Sequence, residues 1–307
     1  MLSYYKTIDG HITQLEACEP GCWSNCISPT DAEISGLIED FQIEPDFFRA
    51  AMDEEESSHI DTEDYSTLVI IDMPVAETSG DNVTYSTTPL GIIITEKNVI
   101  TVCTRGNPVL DEFTDGAVKG VQTNLKTRFI LHLMLRIATK YLQYLKQIDK
   151  LSSHVERELR KSMKNSELIQ LLDIEKSLVY FSSSLKGSEI TIEKISRGRV
   201  VKLYEEDQDL LEDVLIEVRQ AIEMSSIYLN ILSGTMDAFA SVISNNLNIV
   251  MKVLASITLI ISIPTVISSF YGMNVEGLPL PFFWFPLLLA IVSMGIAYLI
   301  LRKKDMF

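Results

Sequence analysis

The stretch VLASITLIISIPTVISSFY, residues 253–271, is 19 residues long and carries no charge. After the segment GMNVEG, a second run of 24 uncharged residues extends from Leu278 to Leu301. Each run exceeds the roughly 18 apolar residues that a helix needs to cross the hydrocarbon core of a bilayer. The sequence therefore predicts a hairpin of two membrane-spanning helices joined by a very short loop.

Basic residues flank this hairpin only at its outer ends. Lys252 precedes the first run, Arg302–Lys304 follow the second, and residues 272–280 contain no lysine or arginine. Because cytoplasmic flanks are enriched in basic residues, we expect a multi-pass protein of the plasma membrane with both termini in the cytoplasm. The opening residues MLSYYKTIDG lack the pattern of a cleavable signal peptide, so none is expected.

The composition and motifs of the chain argue against several classes of function. The formal net charge is −16, from 42 acidic and 26 basic residues. An acidic surface disfavours nucleic acid as a partner, whereas it is compatible with cations. The sequence contains no GxGxxG or Walker-type loop and no recognisable catalytic constellation. We therefore expect neither an organic cofactor nor an enzyme.

Three cysteines lie close together near the N-terminus. Cys18, Cys22 and Cys26 are spaced in a way that allows a zinc site, with His11 nearby. A structural zinc ion needs four ligands, and the fourth is not identified here. Reduced cytosolic thiols are the favoured interpretation.

The fold class predicted is an α+β cytoplasmic domain with a mixed sheet, followed by a long stalk helix and two transmembrane helices. β-branched runs at 67–72, 89–95 and 99–104 indicate a sheet covered on both faces. Thr30 or Asp31 is expected to cap a helix, with Glu33 as the capping-box acid if Thr30 is the cap. The predicted domains are a cytoplasmic α/β domain at 1–110, a long-helix region at 111–203, a stalk helix continuing into the first membrane helix at 204–271, an outer loop at 272–280, the second membrane helix at 281–301 and a basic tail at 302–307.

Polar residues in the first apolar run follow a helical spacing. Thr258, Ser262, Thr265 and Ser269 recur at steps of four, three and four, and the same face continues back through Leu254, Met251 and Asn248. A face with hydroxyls and amides is expected to meet water or another helix rather than lipid. Helix packing with back-bonded hydroxyls is one interpretation, and a pore lining is the other.

The tip of the hairpin carries a distinctive motif. Gly272-Met273-Asn274 directly follows Tyr271, between the two C-terminal spans, and Met251-Lys252-Val253-Leu254 stands at the membrane entrance. Both stretches resemble the CorA family of Mg²⁺ channels and transporters. The specific resemblance covers the C-terminal third, and the rest agrees only in layout. It implies a funnel-shaped homopentamer in which the first membrane helix lines the pore and the second lies outside it.

The resemblance also implies roles for individual residues. Asn248, Leu254, Ser262 and Thr265 correspond to pore-lining positions, and Leu254 with Met251 is expected to form a hydrophobic constriction. Ser262 departs from the family, which commonly has a methionine there, and the nearby proline is displaced to Pro264.

Gly272, Met273 and Asn274 are expected to select the ion, and Glu276 to recruit cations. Mg²⁺ prefers six oxygen ligands and gives up water reluctantly. Uncharged oxygens, such as the Asn274 side-chain carbonyl, can therefore hold the hydrated ion without binding it too tightly to release. The alternative for Asn274 is a helix C-cap.

Regulation is a further implication of the resemblance, in which Mg²⁺ bound between cytoplasmic subunits favours a closed state. Counting back from the GMN motif aligns Asp213 and Asp237 with acidic positions of the family that are implicated in this regulation. Glu77 is a candidate partner of Asp213 across an interface. The alternative is that these are solvated surface acids.

Together these observations predict a Mg²⁺ channel that mediates passive influx driven by the membrane potential and is gated by cytoplasmic Mg²⁺. Its expected partners are further copies of itself, the lipid bilayer and divalent cations. One alternative is transport of Co²⁺, Ni²⁺ or Zn²⁺ by the same architecture. The other is a membrane-anchored coiled-coil protein with a structural or signalling role.

Overall fold

The computed structural model describes residues 1–63, 66–79, 82–162, 164–198, 201–274, 279–280, 282–304 and 306. The chain forms two compact units, Met1–Ser233 and Gly234–Phe307. The first contains a mixed sheet and most of the helices, and the second contains the two apolar runs.

A seven-stranded sheet organises the first unit. Its strands are β1 Leu2–Ile8, β2 His11–Leu15, β3 Trp23–Ile27, β4 His59–Glu63, β5 Ser66–Ser79, β6 Asn82–Ile94 and β7 Val99–Cys103, in the spatial order β2-β1-β3-β7-β6-β5-β4. β3 pairs with β7 in parallel, and the five other neighbouring pairs are antiparallel. The mixed sheet predicted from the sequence is confirmed.

Strands β5 and β6 are longer than their apolar runs. The runs at 67–72 and 89–95 form only the inner part of a hairpin that continues to Ser79 and Asn82. The outer part has the composition VAETS and NVTYSTT, in which threonine, valine and tyrosine favour an extended backbone although the continuous apolar signal is lost.

Five helices complete the first unit up to the start of the long helix: α1 Asp31–Phe41, α2 Pro45–Met52, α3 Pro108–Thr114, α4 Lys126–Ser162 and α5 Asn165–Ser196. Thr30 is the N-cap of α1, and the capping box with Glu33 is present as predicted. After α5, Gly198 adopts a left-handed φ of 66°, which confirms the expected break at this glycine.

Helices cover both faces of the sheet. On one face Phe47 and Phe48 of α2 pack against Leu68 and Ile70 in a buried cluster. The helix approaches so closely that a Cβ on Gly91 would lie 2.4 Å from the Cβ of Ala51.

On the other face Trp23 packs against Phe113 and Phe129, with ring centroids 6.3 and 5.2 Å apart. Farther along, Tyr141 of α4 contacts Phe181 of α5 edge to face. The sequence-based expectation of a sheet covered on both faces is therefore confirmed.

A 3₁₀ turn at Glu205–Asp207 precedes α6, which spans Gln208–Tyr271, and α7 spans Trp284–Lys303. Pro264 lies inside α6 without ending it. Because proline has no N–H, the carbonyl of Ile260 lacks its usual helical donor at this level. Within the described residues, α6 and α7 are the two helices long and apolar enough to cross a membrane, with mean hydropathies of 2.1 and 2.2 in their most apolar windows.

Candidate ion pathway

The GMN motif begins where α6 ends. The Gly272 amide donates to the Ser268 carbonyl at 2.9 Å, and the Met273 amide donates to the Phe270 carbonyl at 3.4 Å, so the last turn of the helix extends into the motif. Asn274 is exposed, and its side chain forms no hydrogen bond with another described residue. It does not adopt the left-handed conformation of a typical C-cap asparagine. The amide therefore remains available for a ligand.

A hydrogen bond spans the loop that carries the motif. The Tyr271 hydroxyl donates to the carbonyl of Pro279 at 2.9 Å, and the Tyr271 ring centroid lies 6.2 Å from that of Phe285. In the sequence Tyr271 stands out only as part of a motif, and nothing there indicates this contact. Residues 275–278, including the predicted cation-recruiting Glu276, lie outside the described residues.

Thr258, Ser262, Thr265 and Ser269 form an exposed face of α6, which we call the hydroxyl face. Three of these hydroxyls donate to carbonyls of the preceding turn: Thr258 to Leu254 at 2.8 Å, Ser262 to Thr258 at 2.7 Å, and Thr265 to Ile261 at 3.4 Å. The back-bonding considered for the packing interpretation is therefore present.

Back-bonding also determines what these hydroxyls offer to their surroundings. A hydroxyl has one hydrogen to donate and two lone pairs that accept. Because the hydrogen is used within the helix, the oxygen faces outward as an acceptor. Water molecules around a cation point their hydrogens away from it, so acceptor-only oxygens suit a hydrated cation.

The opposite side of the same helix contacts the α7 segment. Its partly or fully buried positions are Val253, Ser256, Ile260, Ile263, Pro264, Ile267 and Tyr271. Ser256 is 1% exposed and donates to the carbonyl of Met306 at 3.1 Å, just beyond α7. Each residue of the hydroxyl face follows one of these positions by two residues, which is about 200° around an α-helix. The hydroxyl face therefore points away from α7.

The predicted constriction residues continue the hydroxyl face toward the N-terminus. Met251 and Leu254 are 56% and 57% exposed in the single chain, and Asn248 is exposed one turn earlier. They provide two apolar side chains followed by an amide along one line of the helix. The structure thus brings the predicted pore residues onto one uncovered face.

Of the three predicted regulatory acids, Glu77 and Asp213 belong to the first unit and Asp237 to the second. Asp213 and Asp237 are exposed on α6, and Glu77 near the end of β5 forms an ion pair with Arg105. Among the described residues no group of three or more histidine, cysteine, aspartate or glutamate side chains could hold a metal ion. Arg105 was missed by sequence reasoning because it is 28 residues from Glu77 and carries no local signal.

The cysteines do not form the zinc site considered as an alternative. The Cys18 and Cys22 sulfur atoms are 2.7 Å apart, whereas Cys26 belongs to the buried cluster beneath α1 and α2, and His11 is exposed on β2. All four cysteines are free. Burial raises the pKa of the Cys18 and Cys26 thiols to about 12, which keeps them protonated at neutral pH.

Known proteins resemble this chain over most of its length. The Cobalt/magnesium transport protein CorA of Methanocaldococcus jannaschii is 26% identical over 295 residues, covering 92% of this chain and 90% of the relative. The Cobalt/magnesium transport protein CorA of Thermotoga maritima is 25% identical over 178 residues, covering 57% of this chain and 51% of the relative.

The fold agrees with a solved structure as well. The complete structure of the CorA magnesium transporter from M. jannaschii superimposes with a TM-score of 0.82 at 22% identity, covering 99% of this chain and 96% of that one. The family model described as CorA-like Mg2+ transporter protein matches residues 19–303. The resemblance thus extends well beyond the C-terminal third, and the chain belongs to the family of CorA-like Mg²⁺ transporter proteins.

Proposed function

We propose that this chain is the subunit of a homopentameric Mg²⁺ channel that admits the ion passively, driven by the membrane potential, and closes when cytoplasmic Mg²⁺ rises. The observation that carries the proposal is the single face of α6 that points away from α7. This face presents two apolar side chains and then outward-facing hydroxyl oxygens. It ends at Asn274, whose side-chain amide forms no hydrogen bond with another described residue. Such a face suits the lining of a symmetric water-filled pore better than contact with lipid.

In this proposal the tip selects the ion. Five copies of Asn274, with backbone carbonyls near Gly272 and Met273, surround an ion that keeps its first water shell. Glu276 raises the local cation concentration outside the membrane. The hydroxyl face then accepts hydrogen bonds from the ion's waters as they pass Ser269, Thr265, Ser262 and Thr258.

The closed state is proposed to form at Met251 and Leu254. Rings of apolar side chains exclude water when they approach one another, and an ion cannot pass without its water. Asn248 provides a polar ring on the cytoplasmic side of this constriction.

Regulatory Mg²⁺ is proposed to bind between cytoplasmic domains at Asp213, Asp237 and Glu77. Carboxylates on neighbouring subunits repel one another unless a cation lies between them, so binding favours one arrangement of the subunits. Glu77 is the weakest of the three candidates, because Arg105 already neutralises it within the chain. A cation at Glu77 would have to compete with that guanidinium.

The proposed location is the plasma membrane with both termini in the cytoplasm. Lys252 before the first span and Arg302, Lys303 and Lys304 at the end of the second support this orientation. The proposed domain boundaries are those predicted above, with 1–203 cytoplasmic and 272–280 outside.

Co²⁺ is the second candidate substrate, because the relatives described above are cobalt/magnesium transport proteins by name. A site that recognises an ion through its water discriminates poorly between divalent ions of similar hydration. The uncharged oxygens at the tip favour Mg²⁺ over softer ions that prefer nitrogen or sulfur.

The test is ion flux into liposomes that contain the purified protein. Wild type should admit Mg²⁺, and Asn274→Ala should lose most of this flux or its preference for divalent ions. Asn245→Ala is the matched control, since it makes the same change at an exposed α6 position about 130° around the helix from the hydroxyl face. If wild type carries no divalent ion, or is monomeric in lipid, the channel proposal is wrong and the membrane anchor is favoured. Competition with Co²⁺, Ni²⁺ and Zn²⁺ in the same assay ranks the substrates.

A further inference from the structure

A cleft of about 650 Å³ opens in the first unit, between the loop that follows α2, the β5–β6 hairpin and α5. Four of its lining residues are acidic, and most of the others carry hydroxyl groups. They are Glu54, Glu55, Glu56, Ser57, Ser58, Asp72, Ser86, Thr87, Tyr180, Ser183, Ser184 and Gly187. None of these described lining residues is basic, so the cleft attracts cations and repels anions.

Asp72 is the innermost acid. It is 8% exposed, and the described residues provide it with no ion-pair partner. Burial raises the pKa of its carboxyl group, and the neighbouring Ser184 hydroxyl lowers it. A buried carboxylate with only one neutral partner is costly, so it must either take up a proton or bind a cation.

The hydroxyls around Asp72 favour cation binding over protonation of its carboxylate. The Ser58 Oγ is buried and has no hydrogen-bond partner among the described atoms. The Ser184 hydroxyl donates its hydrogen to that of Thr87 at 3.2 Å. A buried hydroxyl without a partner is uncommon in proteins and indicates a missing ligand or ordered water. Ser58 and Asp72 line the same cleft, so a hydrated ion there would supply the Ser58 hydroxyl with a hydrogen-bond donor.

The walls also identify the class of cation. All the ligand atoms are carboxylate or hydroxyl oxygens, which hard ions such as Mg²⁺, Ca²⁺ and Mn²⁺ prefer. The volume accommodates an ion with its complete water shell, since each water occupies about 30 Å³. The amino group of Lys176 lies over the ring of Tyr180, a lining residue, 5.7 Å from its centroid.

We propose that this cleft binds one hydrated hard divalent cation, with Asp72 as its charged partner and the hydroxyls of Ser184, Ser58 and Thr87 orienting its water. Glu54, Glu55 and Glu56 at the rim raise the local cation concentration. The site is built within one chain and shares no residue with the proposed pore or with the proposed regulatory acids. It therefore does not depend on the proposed function.

Binding of Mn²⁺ to the full-length protein in detergent tests the proposal. Mn²⁺ is a probe for oxygen sites, and free Mn²⁺ gives an electron paramagnetic resonance signal that is lost on binding. We expect Asp72→Asn, which keeps the size of the side chain and removes its charge, to bind one Mn²⁺ fewer per chain. Asp40→Asn is the matched control, because Asp40 is exposed on α1 and belongs neither to the cleft nor to the proposed regulatory acids, and this variant should bind as many Mn²⁺ ions as wild type.

Ser184→Ala provides an independent test if Asp72→Asn does not fold. It keeps the charge but removes the hydroxyl that orients it, so the affinity of the same site should fall by about tenfold. The proposal is overturned if Asp72→Asn binds as many Mn²⁺ ions as wild type, since Asp72 would then be a protonated core residue. It is equally overturned if Asp72→Asn is unfolded and Ser184→Ala binds Mn²⁺ with wild-type affinity.

Discussion

The hydroxyl of Tyr271 donates a hydrogen bond of 2.9 Å to the carbonyl oxygen of Pro279. The bond joins the last residue of α6 to a residue beyond the GMN motif, so it closes the loop that contains Gly272, Met273 and Asn274. Closing a loop lowers the number of conformations open to the residues inside it. We infer that Tyr271 is a positioning residue that holds Asn274 toward the ion.

Tyr271→Phe tests this role. The substitution keeps the ring beside Phe285 and removes only a hydrogen bond, which is worth about 1 kcal/mol. We expect divalent flux in liposomes to fall by about fivefold, since that is the rate equivalent of about 1 kcal/mol, with a broader ion preference. The change in preference separates positioning of the selectivity motif from a general loss of stability.

Tyr204→Phe is the control for Tyr271→Phe. Tyr204 is 53% exposed and lies outside both apolar runs, and the same hydroxyl is removed there. Its flux should equal that of wild type. If Tyr271→Phe also retains wild-type flux and selectivity, the bridge has no part in ion recognition.

The hydroxyl face and the α7-facing side of α6 can be separated by one substitution on each. Thr265→Val keeps the shape of the side chain and removes an outward-facing acceptor, so each passing ion loses about 1 kcal/mol of hydrogen bonding from its water. Flux should fall while the melting temperature is retained. Ser256→Ala should do the reverse, because Ser256 holds the segment after α7 through the Met306 carbonyl. Similar effects of the two variants on flux would argue that the hydroxyl face is a packing surface.

Leu254→Ser tests the proposed apolar constriction. A hydroxyl at this position would attract water into the constriction that the Leu254 side chains of the five subunits form. Water and ions should then pass even at the high Mg²⁺ concentrations that close the wild-type channel. We expect a flux that no longer decreases when Mg²⁺ is added on the cytoplasmic side. Leu259→Ser is the control, since Leu259 is 52% exposed and lies about 140° around the helix from Leu254. A leak in both variants would indicate damage to the membrane helix rather than an opened constriction.

What the sequence predicts correctly depends on residues that are close along the chain. The two uncharged runs, the capping box of Thr30 and Glu33 and the break near Gly198 are all of this kind. The spacing of Thr258, Ser262, Thr265 and Ser269 likewise depends only on the period of a helix.

Contacts between distant residues could not be predicted. Glu77 with Arg105, Tyr271 with Pro279 and Asp72 with Ser184 come together only through the folded chain, and polar side chains give no periodic signal for such pairs. The outer part of the β5–β6 hairpin was missed for a related reason. The strand conformation of its polar residues depends on their pairing with one another, not on burial, so no continuous apolar run marks it.

Glu33 links the N-terminal strand to the first helix. Its carboxylate accepts hydrogen bonds from the Thr30 amide at 2.8 Å and the Leu2 amide at 3.0 Å, and the terminal ammonium of Met1 lies 3.3 Å away. The hydrogen bond from the Thr30 backbone is the largest cause that lowers the pKa of this carboxyl group from its ordinary value of 4.5, and the terminal ammonium adds to it. These hydrogen bonds require the ionised form.

We predict that the melting temperature of Glu33→Gln is lower than that of wild type at neutral pH and that the difference disappears in acid. Because the folded-state pKa is lowered, the carboxylate contributes its stability above the ordinary glutamate range, and this contribution is lost as the pH falls through the lowered pKa. Thermal unfolding of both proteins between neutral and strongly acidic pH measures the difference. Glu39→Gln, an exposed acid on the same helix, should show no loss at neutral pH. A Glu33→Gln deficit that is the same at every pH would mean that size and shape, rather than charge, hold the strand to the helix.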